Sequence, residues 1–495
     1  MKRYERFSEC LKRILEEEGL SASEVSRMVG FRSRNSIFRI LSDQSSIKAQ
    51  EEFLETLKSQ IGLKWPDRHW EDLQEAMVIT RMGLNDYIAS EAIRQLILPQ
   101  HSLKKDIMVM LDDEQNRLVT RSLREQLREF LGMGRVRITM RGCCDAALCS
   151  ILAEELASAG REGRVEVIHY ISMGDDVVVQ NVMAIQPLMY YSWYIARQLD
   201  PEKCTREMAA LFVPGVMHLQ ISCPSGEKRD YAMALCDTET MLLVEMKVSR
   251  YTHAKEKIQQ YVHQLTMLQN HFPISDSPED YLRYTEQYRQ MEFEREVYSI
   301  KPDVPINLIH PDILLPSVMD GFRDSGFTDR EHLVPLVQSL YDIHLMRFEN
   351  FFRKRKVTHI VFSLEAMRAF MRTGKQTDHF FAMRPYTLAE RMAILNHLRD
   401  QAAKNPHFYI HFLKEDTPAP IMEITMYEGY GVMFTKANTD YNLAGEHTEA
   451  LVTHPGFMRK YREFFMRELL PRYVMSHHET MAALEELARM AAREA

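Results

Sequence analysis

The stretch GLSASEVSRMVGFRSRNSIFRIL, residues 19–41, reads as two short helices joined by a tight turn. Ser21 or Ser23 can cap the first, with Glu24 in its opening turn and Val25, Met28 and Val29 turned inward. Gly30 ends that helix where positive φ is favoured, and Phe31 plugs the turn. Ser33 then caps a second helix whose Ile37, Ile40 and Leu41 face a core, which leaves Arg34, Asn35, Ser36 and Arg39 outward. Arg27, Arg32, Arg34 and Arg39 follow one another with no acid between them, in a chain of formal net charge -8.

Outward from this stretch, Phe7, Leu11, Ile14 and Leu15 recur at helical spacing before Gly19. Downstream, AQEEFLETLKSQIGL supplies a further helix with Phe53, Leu54, Leu57 and Ile61 as its buried stripe. On these pieces, residues 5–64 resemble the lambda-repressor-like (Xre-type) helix-turn-helix domain. SASEVSRMVGF stands as its second helix and SRNSIFRIL as its recognition helix. The resemblance implies double-stranded DNA as partner, paired half-sites and a homodimer. Arginine bonds guanine bidentately and asparagine bonds adenine, so Arg34, Asn35 and Arg39 are the expected base readers. Arg27, Arg32, Ser33 and Ser36 suit phosphate contacts, which position without specifying. The acidic run Glu16–Glu18 must then face away from the phosphates.

Composition sets the frame for the remainder. At 495 residues the chain calls for two or three domains, and 45% hydrophobic with 27% charged residues is a globular balance. Net negative charge confines any nucleic-acid contact to a local patch. The charged start MKRYERFSECLKRILEEEG is not a signal peptide by pattern, and no run approaches the roughly 18 apolar residues of a membrane span. Seven scattered cysteines suit reduced thiols in a cytoplasm. Cys143, Cys144 and Cys149 lack the CxxC spacing of a zinc site, so no metal is expected.

The expected fold is α/β with an all-α N-terminal part. Its divisions are a helix-turn-helix domain at 1–65, a helical connector at 66–133, a first α/β lobe at 134–300, an inter-lobe helical segment at 301–356, and a second lobe with C-terminal helices at 357–495. The connector carries Trp70, Leu73, Met77 and Ile79 on one face, and more helix follows through 103–131. The two lobes read as a duplication. VRITMRG (136–142) pairs with DHFFAMRP (378–385), and VEVIHYIS (165–172) with FYIHFLKED (408–416). The hairpin YAMALCD and MLLVEMKV pairs with PIMEITMY and GYGVMFTK. Duplicated lobes of this order resemble the phospholipase D fold. That family's His-x-Lys-x4-Asp signature is met only by His253 and Lys255, with Gln260 in place of the aspartate. The resemblance therefore implies a catalytically degenerate body.

Asp230, Glu245 and Lys247, with Gln264 behind them, imitate an Asp…Glu-x-Lys nuclease that would hold Mg²⁺. A non-catalytic scaffold is the other alternative. No GxxxxGK, GxGxxG, HExxH or GxSxG occurs. His169 and His411 sit on apolar strands as core or cleft-lining imidazoles. Arg141 and Arg384 end the first strand of each lobe, where α/β sheets line their crevice, and are the candidates for a small anionic effector. The final helix, with Met481, Leu484, Leu487 and Met490 on one face, reads as docking or dimerisation. The expectation is a cytoplasmic, non-enzymatic transcriptional regulator without a cofactor, whose body senses a ligand or partner.

Overall fold

The computed structural model describes all of the chain except residues 1–4, 31–33, 63, 98–113, 143–145, 173, 175–177, 200–215, 237–239, 247–267, 272–277, 325–329, 354–355, 377–383, 421, 437–448 and 495. It is a mixed α/β structure with a helical N-terminal part. The chain divides into two compact units, Met1–Glu91 and Ala92–Ala495.

The first unit is built from α1 (Phe7–Glu17), α2 (Ala22–Met28), α3 (Arg34–Leu41), α4 (Ile47–Ile61) and α5 (Asp67–Met82); α6 (Leu84–Ile97) crosses the division. Phe7, Leu11, Ile14 and Leu15 are buried against Val25, Ile37, Ile40, Phe53, Leu57 and Ile61. Trp65, Trp70, Leu73, Ala76 and Met77 join the same core, so α5 belongs with the four helices before it. Three of these helix starts have a local cause. Ser21 caps α2 and Ser46 caps α4, and the backbone N–H of Arg6 donates to Glu9 ahead of α1. Gly19 and Gly30 close α1 and α2 at φ 65° and 74°, a region that costs a side chain strain. Met28, expected inward, is 38% exposed: Val25 and Ser26 already occupy the buried side of so short a helix.

The second unit opens with α7 (Glu114–Gly132) and a six-stranded sheet. Its members are β1 (Val136–Gly142), α8 (Ala146–Arg161), β2 (Val165–Ser172), α9 (Val178–Ile185), β3 (Tyr194–Leu199), β4 (Val216–Ser222), β5 (Lys228–Cys236) and β6 (Thr240–Met246). The order is β3-β2-β1-β4-β5-β6, with β1, β2 and β3 parallel and β4, β5 and β6 antiparallel. Helical crossovers join the parallel strands, and a short turn joins β4 to β5, as chain geometry requires. α7 docks on this sheet: Leu123, Leu127 and Phe130 are buried. Arg124 bonds Glu154 at 2.6 Å and Glu155 at 2.5 Å, while Arg229 of β5 bonds Glu129 at 2.7 Å.

Seven strands form the second sheet, in the order β10-β9-β8-β11-β12-β13-β7. They are β7 (Leu268–His271), β8 (Val297–Ile300), β9 (Thr358–Ser363), β10 (Phe408–Leu413), β11 (Met422–Tyr427), β12 (Gly431–Lys436) and β13 (Glu449–Val452). Here β8, β9 and β10 are parallel and the remaining pairs antiparallel. One face packs on α10 (Pro278–Glu292), α11 (Pro311–Asp324), α12 (Arg330–Arg353), α13 (Leu364–Thr373), α14 (Leu388–Lys404) and α16 (His477–Glu494). Against the other lie Phe457, Tyr461 and Phe465 of α15 (Pro455–Phe464) and the π-helix Phe465–Tyr473 that continues it. Leu484 and Leu487 of α16 enter the core, whereas Met490 is 48% exposed.

Set β1 on β8 and the two sheets agree strand for strand in order and direction, β7 being the extra edge strand. This alignment corrects the paired segments read from the sequence by one strand. β2 answers to β9 and β3 to β10, so VEVIHYIS and FYIHFLKED are not counterparts; β4 and β5, rather than β5 and β6, answer to β11 and β12. The second sheet also takes in 268–271 and 297–300, ahead of the expected lobe start at 357. No strand occupies 384–385, and the rest of DHFFAMRP lies outside the described residues. The error has a physical source: VYSI is four residues long, too short for periodicity to declare it a strand.

Candidate nucleic-acid interface

The N-terminal candidates are built by α2 and α3. On α2, Ser21 accepts from the Glu24 backbone N–H at 3.3 Å, and Glu24 accepts from the Ser21 backbone N–H at 2.8 Å. These bonds close a capping box, and the Ser21 hydroxyl and N–H hold the Glu24 carboxyl below its ordinary range. Arg27, in the last turn of α2, is exposed. On α3, Ile37 and Ile40 are buried at 0% and 3% exposure, which turns Asn35 and Arg39 to the exposed side with Ser36 half-buried. The Arg39 guanidinium lies 3.5 Å from the Gln44 carbonyl. Arg34 opens α3 by its backbone; Phe31, Arg32 and Ser33 lie outside the described residues.

Three acids that flank α2 and α3 in the chain have partners. Glu17 pairs with Arg13 at 3.1 Å, and Glu18 stands 3.0 Å from His69 of α5. Asp43 pairs with Arg6 at 3.1 Å and accepts from the Gln50 amide at 3.3 Å. From Val25 to Ser42 the chain carries no acid. The exposed cations Arg27 and Arg39 therefore meet solvent with no carboxylate on their own two helices after Glu24, a setting suited to a polyanion.

The body's candidates fare differently. Arg141 is buried at the end of β1, in register with Tyr170 of β2 and His218 of β4. Arg384 precedes α14 and is held by Asp320 at 3.0 Å and Glu390 at 2.7 Å. Lys301, which follows β8, bonds Glu423 of β11 at 2.5 Å. His169 is buried with Nδ1 2.9 Å from the Tyr194 hydroxyl, and burial pushes it down to about 3. His411 lies 3.1 Å from His359; burial brings it to about 3 and His359 to about 4. In the β5–β6 ladder Asp230 pairs with Met246, and Glu245 with Tyr231. Adjacent rows of a ladder belong to opposite faces, so the two acidic positions of the nuclease pattern do not share one. Lys247, His253, Lys255, Gln260 and Gln264 lie outside the described residues.

Sequence reading missed a buried polar layer between the second sheet and its helices. Arg347 of α12 grips Glu292 of α10 through Nε at 2.8 Å and Nη2 at 2.7 Å. The Tyr288 hydroxyl donates to Glu449 at 2.5 Å, and Thr435 to the same carboxylate at 3.3 Å. Glu423 accepts from Thr425 at 3.0 Å, beside Lys301. Glu423, Thr435 and Glu449 are cross-strand neighbours, so they share a face. The available signal was a glutamate at an inward position of two otherwise apolar strands, MEITMY and EALV.

No family model matches the chain, and comparison with curated proteins finds no match either. Among the described residues, no helix is long and apolar enough to cross a membrane.

Proposed function

We propose that this chain is a sequence-specific DNA-binding transcriptional regulator. Its N-terminal unit acts as a lambda-repressor-like helix-turn-helix in which α3 enters the major groove. The observation that carries the reading is the exposure of Arg27, Asn35 and Arg39 around a short helix pair free of acids from Val25 to Ser42. Arg39 and Asn35 then read base edges together with Arg34, and Arg27 neutralises a phosphate, with Arg32, Ser33 and Ser36 beside it. The matched strand orders of the two sheets support a duplicated α/β body, which in this reading senses a ligand or partner and joins two copies in the cytoplasm. Arg384 is already matched by two carboxylates, which argues against it as the site for an anionic effector. The register of Asp230 and Glu245 favours this reading over a nuclease.

The test is fluorescence anisotropy of labelled duplexes from the chain's own upstream region, titrated with wild type and Arg39→Ala. Saturable binding at physiological salt, weakened by at least tenfold in the variant, supports the proposal. Wild-type binding that is absent, or equal to that of Arg39→Ala, overturns it.

A further inference from the structure

We propose that Phe38 is a specificity-determining residue that reads the C5-methyl of thymine in the major groove; this rests on the DNA-binding reading above. Phe38 is 53% exposed although its neighbours Ile37 and Ile40 are buried. It is not among the buried residues of the unit's core, whose aromatic contacts include Phe7 with Phe53 and Trp65 with Trp70. Helical spacing sets Asn35, Phe38 and Arg39 at i, i+3 and i+4, one face of α3. That face offers an amide, an aromatic ring and a guanidinium side by side. The Ser42 hydroxyl donates to the Phe38 carbonyl at 2.7 Å, which fixes the last turn on which the ring is mounted.

The major groove presents hydrogen-bonding edges on every base pair and one apolar group, the thymine methyl. A ring flanked by adenine- and guanine-reading side chains can meet only that group without leaving base edges unpaired. A protein partner for an exposed phenylalanine would ordinarily bring an apolar surround. Here Phe38 is adjacent in the chain to exposed Arg39, and the preceding helix carries exposed Arg27. Charge complementarity therefore commits the face to duplex DNA. The sequence IFRIL hid this residue, because Phe38 lies between two isoleucines and reads as core by hydropathy alone.

The experiment begins with a duplex enriched from a random library by the full-length protein, then replaces each thymine in turn by deoxyuridine, which deletes only the methyl. For wild type, one or two positions are expected to lose about fourfold in affinity, the value of one buried methyl. Phe38→Ala should bind the parent duplex more weakly and lose nothing further at those positions. Folding of the variant is checked by its urea midpoint, which exposure of the ring leaves near that of wild type. If an enriched duplex is bound and no deoxyuridine position matters, or Phe38→Ala keeps the penalty, the inference fails while DNA binding stands. If Phe38→Ala instead changes the oligomeric state on gel filtration and the deoxyuridine scan is flat, the ring is a protein contact and the inference is overturned. If no sequence is enriched, the DNA-binding reading itself falls and takes this inference with it.

Discussion

The ammonium of Lys301 stands 2.5 Å from the Glu423 carboxylate, and both side chains are buried where the end of β8 meets β11. Two charges removed from water are costly, and each is tolerable only because the other is present. Lys301→Met alone leaves the Glu423 charge stranded and should cost about 3–5 kcal/mol. Lys301→Met with Glu423→Leu should recover most of that loss, since an apolar pair of similar volume fits the same space. Urea unfolding of the wild type and the single and double variants checks this. Equal loss in the single and double variants would contradict it.

Acid should weaken the body in a defined window. His169, His359 and His411 are held below the ordinary 6.5, at about 3, about 4 and about 3, chiefly by burial. Between 6.5 and those values the unfolded chain binds protons that the folded chain refuses, so stability falls as pH falls. Above 6.5 these groups are neutral in both states and contribute no slope. His359→Gln and His411→Gln should each flatten the stability-versus-pH curve between about pH 6.5 and 4, leaving pH 7.5–8.5 unchanged in slope. Urea midpoints across that range read the effect.

A second acid window belongs to Glu390. Its bonds to Arg384 and to the Thr387 hydroxyl and N–H lower it from the ordinary 4.5 to about 2. The stabilisation is complete above 4.5 and is lost as pH falls through 2. Glu390→Gln should remove part of the slope between those pH values and lower stability at neutral pH, because it loses the ion pair with Arg384, while its amide oxygen can still accept in the capping box of α14. Curves for the variant and wild type that run parallel below pH 4.5 would contradict this.

Much of the N-terminal unit was legible, because amphipathic helices declare themselves by spacing. Phe7, Leu11, Ile14, Leu15, Phe53, Leu57 and Ile61 are buried as the pattern requires. The exposed positions Arg27, Asn35 and Arg39 follow from the same periodicity. The body was legible as strand–helix–strand, but its register across the chain was not. Strand pairing is a long-range property, and dipeptides such as Met-Arg and Ile-His recur without sharing a place in the sheet. Buried polar residues were the least legible. Glu292, Glu423 and Glu449 look like surface residues until Arg347, Lys301 and Tyr288 are brought to them from distant segments.

Phosphate and base contacts should separate by salt. With Arg27 on a phosphate, Arg27→Ala should weaken binding uniformly across sequences and reduce the slope of log affinity against log salt by about one. Asn35→Ala should leave that slope unchanged and relax preference at one base pair. Anisotropy titrations at several salt concentrations distinguish the two, and an identical salt response in both variants would contradict the assignment.

The central claim is tested most directly by selecting duplexes from a random library with full-length wild type and with Asn35→Ala plus Arg39→Ala, followed by sequencing. One enriched motif is expected for wild type, lost in the double variant although its urea midpoint matches wild type. No enriched motif for wild type, or the same motif from both proteins, would contradict it.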